Sequence, residues 1–283
     1  MFYITLSFNF YLYMYSIEKK SDVIVLMAHY NDNERIKKSI LSIIEPFQVD
    51  ILIVDDGSRI KPDENELQKI YTNGKINVLI LDKNYGVQKV RNFGLKKISE
   101  MNYKYIAIQD SDDCNKENRF SKQINYLDEN LDVMLLGSWC DYVDEKGNFL
   151  FTQKYPVKDS VIKKKMYLNS MFVHSTVIFR AEILNKIGFY PENYFNEDYA
   201  FLFNVAKNYK VENYPESLIN YLVNQNGHTT SNQRKQVASR LKIILDNFYF
   251  GFYPIYGIVR NIPLLLFSRS FTNFIKKTIN KTL

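Results

Sequence analysis

Asp110-Ser111-Asp112-Asp113 follows an apolar run, Tyr105–Ile108, and sets two carboxylates two residues apart. Carboxylates so spaced at a strand end can face one hard cation. Mg²⁺ or Mn²⁺ needs only one or two protein carboxylates, with phosphate oxygens and waters completing the shell. The same residues would serve equally as a solvated turn capping a helix that begins near Glu117. A second cluster, Asp55-Asp56-Gly57-Ser58, ends the apolar run Val49–Val54. A carboxylate there can accept from a base N–H or a ribose hydroxyl, and Gly57 permits a sharp turn. Its plainer reading is again a helix cap. Glu197-Asp198 opens a helical stretch, where acids are favoured by the helix macrodipole alone.

What must position these groups is legible from the apolar pattern. Val23–Ala28 is a continuous apolar run of strand length, as in strands covered on both faces. Asn31 with Glu34 three residues on has capping-box spacing, and Ile36, Ile40, Ile43 and Ile44 share one helical face behind it. Strand-like Val49–Val54 and Ile76–Leu81, helical Val87–Ile98 and strand-like Tyr105–Ile108 follow. Such alternation predicts an α/β class protein with a Rossmann-like, mainly parallel sheet flanked by helices. Ligands bind such sheets at the carboxyl ends of the strands, so both acidic clusters belong to one site. Beyond residue 130 the pattern is less regular. Val133–Gly137 reads as a strand, Lys146-Gly147-Asn148 as a turn between strands, Met171–Arg180 as extended and Glu197–Asn208 as a helix.

In this order the clusters resemble the family 2 glycosyltransferases, which have the GT-A fold, over roughly Val23 to Ser231. The resemblance is carried by Met27-Ala28-His29-Tyr30-Asn31, Asp55-Asp56, Asn84-x-Gly86, Arg91-Asn92-x-Gly94, Asp110-x-Asp112, His174-Ser175-x-x-x-Phe179-Arg180 and Glu197-Asp198. It implies an inverting transfer of a sugar from a nucleotide-diphosphate donor to an acceptor hydroxyl. Ala28, Tyr30, Asp55, Asp56, Asn84, Gly86, Arg91, Asp110 and Ser111 would then hold the nucleotide sugar. Asp112 would bind the divalent cation, with Asp113 behind it or as an alternative ligand. Asp198 would be the base and Glu197 its support. Trp139, Asp141 and His174 would face the acceptor, a glycan or lipid-linked glycan of a bacterial surface polysaccharide. Relatives often carry Tyr-Arg-x-His after the last core strand. This chain has Tyr221-Leu222-Val223-Asn224, leaving Asn224 or His228 to take the place of that histidine.

The 283 residues divide by pattern into an N-terminal extension (1–21), a glycosyltransferase domain (22–231, with halves 22–115 and 116–231) and a helical basic C-terminal segment (232–283). Residues 1–16 are apolar and aromatic but short for a membrane span. They are read as a packed segment, a weak anchor or the product of a start upstream of Met14. The net charge of +6 is concentrated in residues 234–283, where nine Lys and Arg meet one acid, Asp246. A basic, aromatic-rich end suits an anionic membrane surface; a helix pair packed on the domain or a dimer contact fits the same pattern. No nucleic-acid module is present, which disfavours that partner. Cys114 and Cys140 form no CxxC pair, so the expected compartment is reducing, cytoplasmic or peripheral at the inner face of the cytoplasmic membrane.

Other classes fit less well. A haloacid-dehalogenase-type phosphatase wants its aspartate motif on the first strand. A dinucleotide oxidoreductase wants GxGxxG, and a sugar nucleotidyltransferase a Gly-rich basic loop where His29-Tyr30-Asn31 stands. The non-enzyme alternative is a degenerate domain of the same fold acting as a binding or scaffold subunit.

Overall fold

Val23–His29 (β1), Asp50–Asp55 (β2), Ile76–Ile80 (β3) and Tyr105–Asp110 (β4) form a parallel sheet in the order β3-β2-β1-β4. The computed structural model describes residues 19–223 and 233–266. The extension before residue 19 therefore lies outside the described residues, as do Asn224 and His228. Register decides the geometry that matters: His29 pairs with Asp55, and Ala28 with Asp110. The carboxyl ends of three strands are thus level, and both acidic clusters emerge at one edge.

The central residues of the strands are mostly apolar because both faces are covered. Val25, Met27, Ile51 and Ile53 meet Ile36 and Ile40 of α1 (Asn33–Leu41), together with Phe120 of α4 (Arg119–Glu129). On the opposite face Leu26, Leu52 and Val54 meet Val90, Leu95 and Ile98 of α3 (Val87–Ser99). Gly94 lets α3 settle on that face, since a Cβ there would stand 2.2 Å from a Leu26 methyl. The short α2 (Glu64–Ile70) links β2 to β3.

The second half departs from the simple alternation. Val133–Val143 (β6) is longer than the expected Val133–Gly137 and turns back at Asp144–Asn148 into Phe149–Gln153 (β7), as the Lys-Gly-Asn signal predicts. Only Ile178–Arg180 (β8) of the expected extended stretch 171–180 is a strand; His174–Thr176 is a 3₁₀ turn. β8 lies antiparallel between β4 and β6. Lys210–Leu222 (β9) runs parallel to β6, and Cys114–Asn115 (β5) pairs with its far end. One nine-stranded mixed sheet thus spans both halves. Asp159–Lys165 (α5), Ile183–Ile187 (α6) and Glu197–Asn208 (α7) complete this region, and α7 has the bounds read from the sequence.

Two helix starts correct the expectations. Asp32, not Asn31, caps α1 by accepting from the Arg35 amide, while Asn31 adopts φ 55° and accepts from the Arg59 amide instead. α4 begins at Arg119, because Asn118 takes φ 61°.

The described part of the C-terminal segment, residues 233–266, is a helix pair, α8 (Gln233–Asp246) and α9 (Phe252–Leu266). Ser239 Oγ accepts from the Asn196 amide, Lys242 donates to the Asn193 carbonyl, and Tyr194 donates to Asp246. α8 therefore fixes the loop that leads into the acidic start of α7. No helix among the described residues is long and apolar enough to cross a membrane.

Candidate active site

Asp56 sets the first link. Its two oxygens accept from the Tyr85 and Gly86 amides at 2.6 and 3.0 Å, and Gly86 has φ 89° at the cap of α3. That turn starts α3 so that Arg91, one turn in, reaches across to two carboxylates. Arg91 donates to Asp110 at 2.7 Å and to Glu197 at 3.2 Å. The guanidinium stands over the Tyr190 ring, 5.9 Å from its centroid. Asn92 clamps the backbone of Tyr190 in both directions.

Electrostatics follows from this bridge. Burial would raise the Asp110 carboxyl, but Arg91 more than offsets it and holds Asp110 below the usual range. Glu197 is pushed up by its own burial and by Asp198 beside it. His174 Nε2 meets the Tyr190 hydroxyl at 2.8 Å, and its Nδ1 stands 3.9 Å from Asp110. Burial and the Arg91 charge lower the imidazole to about 4, so it is neutral at pH 7. His174, expected on the acceptor side, is buried next to Asp110. Asp198 remains partly exposed at the first turn of α7.

The tip of β4 divides its acids. Asp113 is buried; one oxygen accepts from the Leu222 amide at 3.0 Å and the other has no partner. Ser111 and Asp112 stay partly exposed. Burial, together with Asp110, raises the Asp112 carboxyl to about 6, which marks it as short of positive charge. Among the described residues no three His, Cys, Asp or Glu side chains converge as a complete ligand set. The oxygen donors suit a hard cation that takes most of its ligands from phosphate and water.

Asp55, expected among the nucleotide contacts, braces the ends of β1 and β2. Fully buried, it accepts from His29 Nδ1 at 2.7 Å and from the amide and hydroxyl of Ser58. His29 Nε2 accepts from the Asp32 amide, which fixes the Nδ1–H tautomer. Ala28, Tyr30, Asn84, Gly86, Asp110 and Ser111 are the at least partly accessible members of the expected nucleotide set. Trp139 donates to the Tyr155 carbonyl under Lys154, and Asp141 is held by Lys116 and Thr152. Neither joins the Arg91 network. A cavity of about 800 Å³ opens between the start of α1 and the loop after β2, lined by Asn31, Asp32, Lys37, Arg59, Ile60 and Pro62. It lies beside the strand ends, and none of the clustered acids lines it. Tyr190 was missed by sequence reasoning, and no spacing or motif marks it; Ser175, whose hydroxyl accepts from the Asp110 amide, stands in the His174-Ser175 motif but was given no role of its own.

A parallel four-strand half with level acidic tips, extended by antiparallel strands into one mixed sheet, defines a GT-A glycosyltransferase. The sequence matches the description "Glycosyl transferase family 2" over residues 24–188, and the chain belongs to that family. It is 31% identical over 222 residues to an uncharacterised glycosyltransferase of Methanocaldococcus jannaschii, covering 76% of this chain and 75% of the relative. It is 27% identical to the Escherichia coli UDP-Gal:alpha-D-GlcNAc-diphosphoundecaprenol beta-1,3-galactosyltransferase, covering 90% of this chain and 95% of that one. The structure of the Pyrobaculum calidifontis mannosyltransferase PcManGT, solved with GDP-Man and Mn²⁺, superposes with a TM-score of 0.59 at 13% identity. That match covers 92% of this chain and 76% of the other.

Two outcomes follow from the bridge and the brace. Arg91→Met leaves two carboxylates without their cation and lowers unfolding stability by about 3–5 kcal/mol in urea melts; a loss below about 1 kcal/mol would show the bridge to be dispensable. The Asp55 carboxyl is lowered: burial acts against this, but the bonds from His29 and Ser58 prevail. Its contribution to stability is present above the ordinary carboxylate pKa and lost as pH falls through the lowered folded value. His29→Leu should therefore be less stable at pH 7 and lose less of its stability between pH 7 and acid than the parent, as melting temperature against pH will show.

Proposed function

We propose that the chain is an inverting glycosyltransferase that moves a sugar from a nucleotide-diphosphate donor to a hydroxyl of a lipid-linked glycan. The setting proposed is surface-polysaccharide synthesis at the inner face of the cytoplasmic membrane. One observation carries the reading: Arg91 ties the Asp110 tip of β4 to Glu197, so a donor-side carboxylate and the Glu197-Asp198 pair stand at one site. The E. coli relative's printed substrate, a sugar on diphosphoundecaprenol, supports the acceptor class, and its near-complete coverage supports a shared architecture. The division at residues 22–115 and 116–231 is proposed on the same ground: donor contacts come from the first half and acceptor contacts from the second.

In this mechanism Ala28, Tyr30, Asn84 and Gly86 hold the nucleotide, while Asp56 keeps the 84–86 loop in place. Asp110 and Ser111 orient the donor from the β4 tip. Asp112 would hold Mn²⁺ or Mg²⁺, whose positive charge would stabilise the departing diphosphate. Asp113 supports that tip from inside through its bond to Leu222. Asp198 takes the proton from the acceptor hydroxyl as its oxygen bonds to the anomeric carbon. The bond from that carbon to the diphosphate oxygen breaks on the opposite side, which inverts the centre. Glu197, committed to Arg91, fixes the first turn of α7 and so the direction of Asp198. Holding both substrates in line supplies the orientation contribution to rate. Trp139 and Asp141 are proposed for the acceptor side through the β6 surface that carries them.

Calorimetric titration of UDP-, GDP- and dTDP-sugars, with and without Mn²⁺, tests the donor half of this reading. One donor should bind with metal, and Asp112→Ala should lose the metal-dependent part of that affinity. Asp198→Asn should retain donor binding while transfer to a GlcNAc-diphospholipid falls by about 10²–10⁴-fold. Well-folded protein that bound none of these donors with metal present would favour a scaffold role instead.

A further inference from the structure

The helix α9 is inside out. Its buried positions are Pro254, Gly257 and Asn261, small or polar and spaced as one helical face. Its solvent face carries Phe252, Ile255, Tyr256, Val259 and Ile262, with Phe252 71% and Val259 58% exposed. A helix at the surface of a globular protein has the opposite arrangement, apolar inward and polar outward. The inner face is small for a structural reason. A Cβ on Gly257 would stand 2.1 Å from the Tyr167 carbonyl oxygen, so the helix lies directly on that backbone. Asn261 is satisfied there by Arg240 and the Gly257 carbonyl. α9 is thus anchored by close approach and hydrogen bonds, which leaves its large apolar side chains outside. Phe250, 95% exposed just before the helix, continues the patch.

We infer that this face is a docking surface for an anionic phospholipid bilayer, lying in the interface rather than crossing it. Charge decides between lipid and a second copy of the chain. Arg260 is exposed on α9 and donates to the Leu168 carbonyl, which holds the segment just after α5 against the helix; the last turn of α5 carries exposed Lys164 and Lys165. From Asn247 to Leu283 the sequence holds five cations, Arg260, Arg269, Lys276, Lys277 and Lys281, and no acid. Two copies of this face would set the described cations Arg260, Lys164 and Lys165 against one another, whereas anionic headgroups attract each basic residue near the surface. Apolar side chains flanked by cations are the combination that holds an interfacial helix. The inference deepens the proposed function by giving the surface on which a lipid-linked acceptor would be met, and it rests on that reading only for this purpose; vesicle binding itself needs no sugar chemistry.

The test is co-sedimentation of the full-length chain with phosphatidylglycerol/phosphatidylethanolamine vesicles and with phosphatidylcholine vesicles, alongside light-scattering mass in solution. The parent should bind the anionic vesicles and lose them at high salt. The double substitution Ile255→Asp, Val259→Asp lies on the exposed face and should leave the melting temperature and nucleotide-sugar titration unchanged. It should weaken anionic-vesicle partition by at least about tenfold. Absence of binding by the parent, equal binding to phosphatidylcholine, or unchanged partition of the variant would each overturn the assignment. So would a variant that turns a dimer into a monomer while still binding vesicles, because a second copy would then be the occupant. Donor titration reports separately, so a failed vesicle assay and a failed glycosyltransferase reading are distinguishable.

Discussion

One buried guanidinium permits the site to exist. Asp110, Glu197 and Asp198 come from opposite halves of the chain, and burying acids together raises their energy unless a cation is shared among them. Arg91 is that cation, bonded to Asp110 and Glu197 at once. Breaking such a pair costs more than making it gains, because the remaining charge stays buried. The bridge is therefore less a source of stability than a constraint: α3, β4 and α7 must keep their relative positions for the carboxylates to be tolerated. Tyr190, clamped by Asn92 and bonded to His174, closes the far side and keeps the guanidinium from turning away.

The two aspartates after β2 show how the rest of the fold serves that constraint. They are adjacent in sequence but do different work. Asp55 points inward and joins the ends of β1 and β2 through His29 and Ser58. Asp56 turns to the loop after β3 and sets the first amides of α3. A strand alternates its side chains, so neighbouring residues at its tip necessarily address opposite sides. One carboxylate then fixes the floor of the strand ends and the other fixes the helix that carries Arg91. Gly57 between them and Ser58 has φ 69°, and a Cβ there would meet the Lys83 backbone at 2.5 Å, so the two loops approach as closely as glycine allows.

How much of this was legible in the sequence depended on whether the signal was local. Apolar runs gave β1 to β4 and their helices because strands covered on both faces have few other compositions. α7 was read to the residue, since its acids, apolar face and length agree. The second half was harder to read. β8 is three residues long and is a strand only because β4 and β6 flank it, so Met171–Arg180 reads extended throughout while all of it before Ile178 forms loop and a 3₁₀ turn. Site membership divided the same way. Asp110, Arg91 and Glu197, which the structure brings together, stand in motifs the sequence shows, whereas the enclosure of His174 and Asp55, and the bonding of Tyr190, depend on tertiary neighbours that no local pattern encodes.

The C-terminal helices connect the site to the surface that bears them. α8 holds the loop before α7 at three points, through Ser239, Lys242 and Asp246. α9 packs on α8, with Asn261 bonded to Arg240, and turns its large side chains outward. The first turn of α7, where Asp198 stands, is therefore positioned by the same helix pair that presents the apolar row. Because the pair is fixed to the domain by hydrogen bonds and a glycine contact, its outer face cannot reorient independently of that turn. Whatever meets the face of α9 is met at a fixed orientation to Asp198. That coupling gives a purpose to a helix which, judged by composition alone, would be expected to turn its large apolar side chains inward.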